Sequence, residues 1–243
     1  MVKTVVIVMA MKAEAQPFID HLDLQKDADR FHKGLRAECY SGTYKGETKV
    51  HLVLNGQCHK YGVDIVGTVG GAVTTFAAVQ ALSPDLVINA GTCGGFRALG
   101  GEVGSIYLCT SFLNHDRRIA IPGFDAFGVG ELNTFDLNPE LLAQVGAQSG
   151  VVSTGNSLDV TKEDEGYIKK HKATCKDMEG AAVAYMCDQL SVPMFALKSV
   201  TDIVDGEHPT PEEFLKNLGT AAKSLQQALP KVLSFIAEKP FQA

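Results

Sequence analysis

Six nearly continuous apolar runs, rich in valine and isoleucine, limit what this chain can fold into: KTVVIVMAM (3–11), VHLVLN (50–55), DLVINAG (85–91), VGSIYLCTSFL (103–113), GVVSTG (150–155) and VPMFALKSV (192–200). Strands covered on both faces read as continuous apolar runs, whereas strands with one wet face alternate. Helical spacing lies between several of them, over Lys12 to Asp23, Gly71 to Leu82 (ended by Ser83-Pro84), Glu140 to Gly146, Thr161 to Lys170, Glu179 to Leu190 and Pro211 to Ala237. Strands alternating with helices predict an α/β domain with a largely parallel sheet, whose ligands lie at the carboxyl ends of the strands. No linker, repeat or low-complexity segment divides the chain, so residues 1–243 are expected to form one domain.

A formal net charge of -6 offers no positive field for phosphate backbones or anionic lipid, which argues against nucleic-acid and membrane partners and for a small-molecule ligand. The apolar run TVVIVMAM is short, is followed by Lys12 and Glu14, and reads as a first strand rather than a signal peptide. Six cysteines without a C-x-x-C pair suggest reduced, packed thiols and a cytoplasmic setting. No ligand spacing points to a metal, and no cofactor is expected.

Four strand ends or strand–helix junctions carry the residues from which an α/β site is built: Glu14, NAGTCGG (89–95), KDMEG (176–180) and SVTDIVDG (199–206). Each has a bland reading. Glu14, Asp177 and Glu179 suit the first turn of a helix, where unpaired N–H groups and the dipole favour carboxylates. The glycines around Thr92 and Cys93 suit a tight turn as well as close backbone approach to a ligand. GTVGGA (67–72) has the glycines to hold an anion but lacks the ending of a phosphate loop. Asp202 emerges from an apolar strand, where desolvation would raise its pKa and make it a proton donor, while Asp205 beside Gly206 is the better turn cap.

Taken in order, VMAMKAEA, INAGTCGGF, HDRRIAIPGFDAFGVG, STGNSLD, KDMEGAAVAY and KSVTDIVDGEHPTPEEF resemble the nucleoside phosphorylase and nucleosidase superfamily, most closely plant-type 5'-methylthioadenosine nucleosidases. The resemblance covers nearly the whole chain and implies a three-layer α/β/α fold with a central, mostly parallel or mixed twisted sheet. It implies hydrolysis of the N-glycosidic bond of methylthioadenosine, and in many members of S-adenosylhomocysteine. In the implied roles Asp202 protonates the purine, Glu14 activates water, and Glu179 takes hydrogen bonds from the ribose hydroxyls. Met178 would lie along the sugar, Thr92 and Cys93 would border ribose and base, and Lys176 and Asp177 would share in binding. Leu158 and Asp159 would present backbone groups to the adenine edge, Phe214 would cover the purine, and Val66 and Met11 would lie near the 5' substituent. Lys198 is left without a role, and His115 is read as structural.

The loop from Asn114 to Asn138 is long for a compact domain, which suggests a function. The resemblance makes its first part, Asn114 to Gly130, the contact of a homodimer, consistent with apolar Ile119, Ile121, Phe124 and Phe127. Two rival functions stand beside the hydrolase. A phosphorylase needs donors for phosphate, and only Arg97 of the chain's arginines (30, 36, 97, 117, 118) is near NAGTCGG. A silent nucleoside-binding protein would be expected to lack one of Glu14, Glu179 and Asp202, all of which are present.

Overall fold

A computed structural model of the chain describes residues 2–239. Its strands are β1 (Thr4–Met9), β2 (Gln25–Asp27), β3 (Glu38–Tyr44), β4 (Thr48–Leu54), β5 (Leu86–Gly95), β6 (Ile106–Asn114), β7 (Leu132–Asn133), β8 (Gln148–Thr154), β9 (Cys175–Asp177) and β10 (Met194–Ile203). The helices are α1 (Lys12–His21), α2 (Thr68–Leu82), α3 (Phe124–Val129), α4 (Pro139–Val145), α5 (Lys162–Lys170), α6 (Gly180–Gln189) and α7 (Thr210–Glu238). The expected α/β fold is present: one mixed sheet runs β10-β6-β8-β9-β5-β1-β4-β3-β2, with β7 alongside β6.

Alternate residues of the buried strands feed two cores. Ile7 and Met9 of β1 and Leu86 and Ile88 of β5 pack with Phe18 of α1 and Leu225, Leu229 and Val232 of α7. Val6, Val8 and Val87 pack on the opposite face with Ala78 and Val79 of α2 and Val183 and Ala184 of α6. This double covering is why both parities of β1 and β5 are apolar.

Parallel pairs β1–β4, β1–β5 and β5–β10 form the centre. The sheet also closes on itself, because β10 pairs with β5 on one side and β6 on the other, and β6, β8 and β9 lead back to β5. Cys93, Tyr107, Cys109, Cys175 and Val200 from these strands share one core, and all six cysteines are free thiols.

Several elements differ from the sequence expectation. β2 and β3 form an antiparallel edge against β4; QKD and ECYSGTY are too polar to stand out as buried strands. The long loop after β6 contains α3 and the short β7. α2 begins at Thr68 rather than Gly71, since Gly70 and Gly71 serve packing and not chain breaking. A Cβ on Gly70 would stand 2.8 Å from Ile65 Cγ2, and one on Gly71 would stand 3.3 Å from Glu179 Cβ. These glycines let α2 approach α6 and Glu179 closely.

Candidate active site

The carboxyl ends of β1, β5, β9 and β10 converge on one cavity of about 410 Å3, within the range of small-molecule sites. Of the residues singled out in the sequence, Met11, Glu14, Val66, Thr92, Cys93, Leu158, Lys176, Asp177, Met178, Glu179, Asp202 and Phe214 line it. Asp159 does not: it is exposed outside the cavity wall. The Lys176 ammonium, buried, donates to the carbonyl oxygens of Ser157 and Leu158, both at 2.9 Å. That contact fixes the backbone at Leu158, whose half-exposed side chain borders the cavity mouth.

Glu14 sits in the first turn of α1, where the backbone of the N-cap residue Met11 bonds to its carboxyl group, and it also reaches across to β5. Its Oε1 accepts hydrogen bonds from Thr92 N–H (2.8 Å) and Thr92 Oγ1 (2.6 Å). Gly91, facing it without a side chain, leaves room, since a Cβ there would be 3.4 Å from Oε2. Burial pushes the Glu14 pKa up, with the Thr92 bonds and the Lys198 charge opposing it.

The KDMEG segment divides its two acids between two jobs. Asp177 takes the helix-end role: its Oδ2 accepts from Gly180 N–H at 2.8 Å, and its Oδ1 accepts from Thr154 Oγ1 at 2.6 Å. Lys198 Nζ lies 2.7 Å from Asp177 Oδ2, in a pair whose side chains are 1% and 2% exposed. The Asp177 carboxylate, although in the cavity wall, is thus engaged by the protein's own donors. A bare carboxylate in so dry a place is costly, and the lysine and the two other donors offset that cost. Burial alone would lower the Lys198 pKa, but the Asp177 charge carries it above the ordinary lysine value.

Glu179 is relieved of capping and turns elsewhere. Its Oε1 accepts from Gly67 N–H at 2.7 Å, so the anion held by the GTVGGA segment is the chain's own. Gly67 has φ +99, the left-handed region that glycine enters without strain. Burial, and then the neighbouring Asp177 charge, push the Glu179 pKa up to about 7.

Asp202 is set by an irregularity in β10. The parallel register with β5 pairs Val200 with Cys93 and then Asp202 with Gly94, so Thr201 is an extra residue. Such bulges re-aim a side chain. Thr201 Oγ1 lies 2.7 Å from Asp202 Oδ1 and 3.2 Å from the Cys93 carbonyl oxygen. Asp202 is buried, and that burial raises its pKa against the Thr201 bond and the Lys176 charge.

Asp205 accepts the N–H groups of Arg97 (2.7 Å) and Ala98 (3.0 Å) and so caps the short turn that follows β5. His115 is buried, outside the cavity, with Nδ1 3.0 Å from Ser153 Oγ. Among the described residues no arginine lines the cavity; its cations are Lys176 and Lys198, both already engaged. Sequence reading did not pick out Ala10, Val63, Asp64 or Thr210 in the wall. Asp64 and Val63 belong to an irregular loop with no periodic signal, whereas Thr201 stood in view beside Asp202. Among the described residues no helix is long and apolar enough to cross a membrane, and no group of three or more histidine, cysteine or acidic side chains is arranged to hold a metal ion.

Comparison with known proteins agrees with this fold. The profile of the phosphorylase superfamily matches residues 4–234. The chain is 45% identical over 236 residues to a 5'-methylthioadenosine nucleosidase of Arabidopsis thaliana, covering 97% of this chain and 88% of that protein. It is 43% identical over 239 residues to a 5'-methylthioadenosine/S-adenosylhomocysteine nucleosidase of the same plant, covering 98% and 93%. The apo structure of Arabidopsis thaliana 5'-methylthioadenosine nucleosidase superposes with a TM-score of 0.95 at 44% identity, over 98% of each chain.

Proposed function

This chain belongs to the phosphorylase superfamily, and on that premise we propose that it is an N-glycosyl hydrolase that cleaves 5'-methylthioadenosine to adenine and 5-methylthioribose. One observation carries the reading: two buried carboxyl groups with raised pKa, Glu14 and Asp202, share a cavity with Glu179, and among the described residues no arginine lies in its wall.

Strand order orients the substrate. From β10 through β5 and β1 to β4 there are three strand spacings, roughly 14 Å at about 4.8 Å each. Asp202 on β10 marks one end of the cavity, the Val63–Val66 loop beyond β4 marks the other, and Glu14 follows the strand between. The purine lies at the β10 end under Phe214, and the 5' substituent lies against Met11, Val63 and Val66.

In the reaction the bond from the anomeric carbon to the purine nitrogen breaks with its electron pair moving into the ring. Asp202, protonated, delivers its proton to the purine N7, so adenine leaves neutral. Water adds its oxygen to the anomeric carbon and gives its proton to Glu14. The positive charge that develops on the sugar is stabilised by Glu179, which also accepts from the ribose hydroxyls. The saturated Asp177–Lys198 pair holds the helix start beneath Glu179 still. Carboxylates on the attacking side and the absence of a wall arginine favour water over a phosphate dianion.

The working unit in this reading is a homodimer. Val69, Val73 and Phe76 of α2 and Ile121, Phe124 and Phe127 of the loop after β6 are exposed. Thr68 donates to Asn156 Oδ1, and Asn156 N–H donates to Asp116 Oδ2, which ties the two segments together. An apolar surface of this kind is typical of a protein contact. The test of function is a product assay with methylthioadenosine, with and without phosphate. Adenine and free methylthioribose at equal rates are expected; a sugar 1-phosphate formed only with phosphate would overturn hydrolysis.

A further inference from the structure

We propose that Asn89 holds the attacking water: its side-chain carbonyl oxygen accepts one hydrogen of that water while Glu14 accepts the other, so a lone pair on the water oxygen faces the anomeric carbon. The inference rests on the hydrolase reading and extends it by one residue. Among the described residues, Asn89 Oδ1 is the one buried side-chain atom without a hydrogen-bond partner that also belongs to the wall of the main cavity. The residue is 2% exposed, and a carbonyl so buried is costly to leave without a donor.

The neighbouring strand decides which end of the amide meets the cavity. The Val8 carbonyl of β1 can only accept, so the Asn89 nitrogen turns to it, at 3.3 Å, and Oδ1 is the end left for the cavity. Successive residues of a strand face opposite ways. Ile88 and Ala90 of β5 enter one core and Val87 and Cys93 the other, so Asn89 and Gly91 share the side of Val87 and Cys93.

Glu14 covers that same side, since a Cβ on Gly91 would stand 3.4 Å from its Oε2. The amide therefore starts two residues, about 6.6 Å, before the point that Glu14 covers. A water that donates to two oxygens spans about 5.5 Å between them, so one water suits the step. Both Thr92 bonds fall on Glu14 Oε1, which leaves Oε2 to receive a proton. On the other flank Ala196 of β10 stands beside Asn89 and leaves it room, while Lys198, beside Gly91, gives its ammonium to Asp177 and not to the amide.

In the reaction the water oxygen bonds to the anomeric carbon, and the O–H bond facing Glu14 breaks as its proton passes to Oε2. The other O–H stays whole and becomes the anomeric hydroxyl of methylthioribose, still donating to Asn89. Two acceptors for one nucleophile favour water over an alcohol. Methanol has a single O–H, which must go to Glu14, and its methyl group then meets the amide oxygen.

The test cleaves methylthioadenosine in buffer of fixed methanol content and measures the ratio of the methyl glycoside of methylthioribose to free methylthioribose. Wild type is compared with Asn89→Leu, which keeps the shape of asparagine and removes the acceptor. The ratio is expected to rise about tenfold, as the loss of one hydrogen bond allows, with kcat in plain buffer lowered by a similar factor and KM within about threefold. Because the ratio is set within each turnover, it does not depend on how much of the variant folds. Asn89→Ala also removes the acceptor and should move the ratio the same way. An unchanged ratio, whether or not kcat falls, would reduce Asn89 to a support of β5 and overturn the assignment. A rise in KM alone would overturn it too, by placing the carbonyl on the substrate. A wild type that releases neither sugar product would instead refute the hydrolase reading, and the water site with it.

Discussion

Gly94→Ala isolates the placement of the proposed acid from its chemistry. Gly94 lies within β5, opposite Asp202, and its φ is ordinary for any residue, so alanine costs nothing in backbone conformation. The new Cβ would stand 2.9 Å from Asp202 Oδ2 and 2.5 Å from Val204 Cγ2, both short of the 3.4 Å at which ordinary contact begins. The carboxylate must therefore retreat by the difference, 0.5 Å, and the valine methyl by 0.9 Å. Overpacking of this size costs about 1–3 kcal/mol, or several degrees of Tm in a chain of this length. Misplacing a reacting group by about 1 Å costs up to about 10²-fold in rate, so half that distance should cost about tenfold in kcat/KM.

Val204→Ala added to Gly94→Ala removes the closer clash and leaves the one with Asp202. The double variant should regain most of the lost Tm, followed by calorimetry, yet keep the kinetic defect in a continuous adenine-release assay. If it instead cleaves methylthioadenosine at the wild-type rate, the position of Asp202 does not matter, and its assignment as the acid falls.

Other substitutions read the remaining roles. Asp202→Asn should lower turnover by roughly 10² to 10⁴ with KM changed only a few fold, since it keeps the Thr201 contact and loses the transferable proton; near-normal turnover would remove it from the mechanism. Glu14→Gln should give a folded protein with slow hydrolysis, and a large loss of Tm instead would mark Glu14 as structural. Glu179 has a folded pKa of about 7 against an ordinary 4.5, so the folded state holds this proton more tightly than the unfolded one. Its favourable contribution is full below pH 4.5 and is lost as pH rises through 7. The Tm of the wild type relative to Glu179→Gln should fall across that interval and level off above it; a difference independent of pH would contradict the burial of that carboxyl group. Val73→Glu and Phe127→Glu should each shift the proposed dimer to monomer in sedimentation, and unchanged mass would place the contact elsewhere.

The sequence by itself determined the layers and the address of the site. Burial on both faces leaves continuous apolar runs, so β1, β4, β5, β6, β8 and β10 were legible, and so was the fact that Glu14, Thr92, Glu179 and Asp202 stand where such strands end. Elements without a run of apolar residues escaped notice, namely the polar edge β2 and β3, the three residues of β9, which are buried but include Lys176 and Asp177, and α3 within the loop. What only the tertiary structure decided is which charge meets which. Asp177 and Glu179 are two residues apart and equally suited to a helix start, yet one caps α6 and pairs with Lys198 while the other reaches back 112 residues to the Gly67 N–H. The Thr201 bulge that aims Asp202 and the closure of β10 onto both β5 and β6 are likewise invisible in the chain. Periodicity records whether a side chain leaves water, a property local to its own element. The partner that satisfies it once dry is chosen by how distant elements pack.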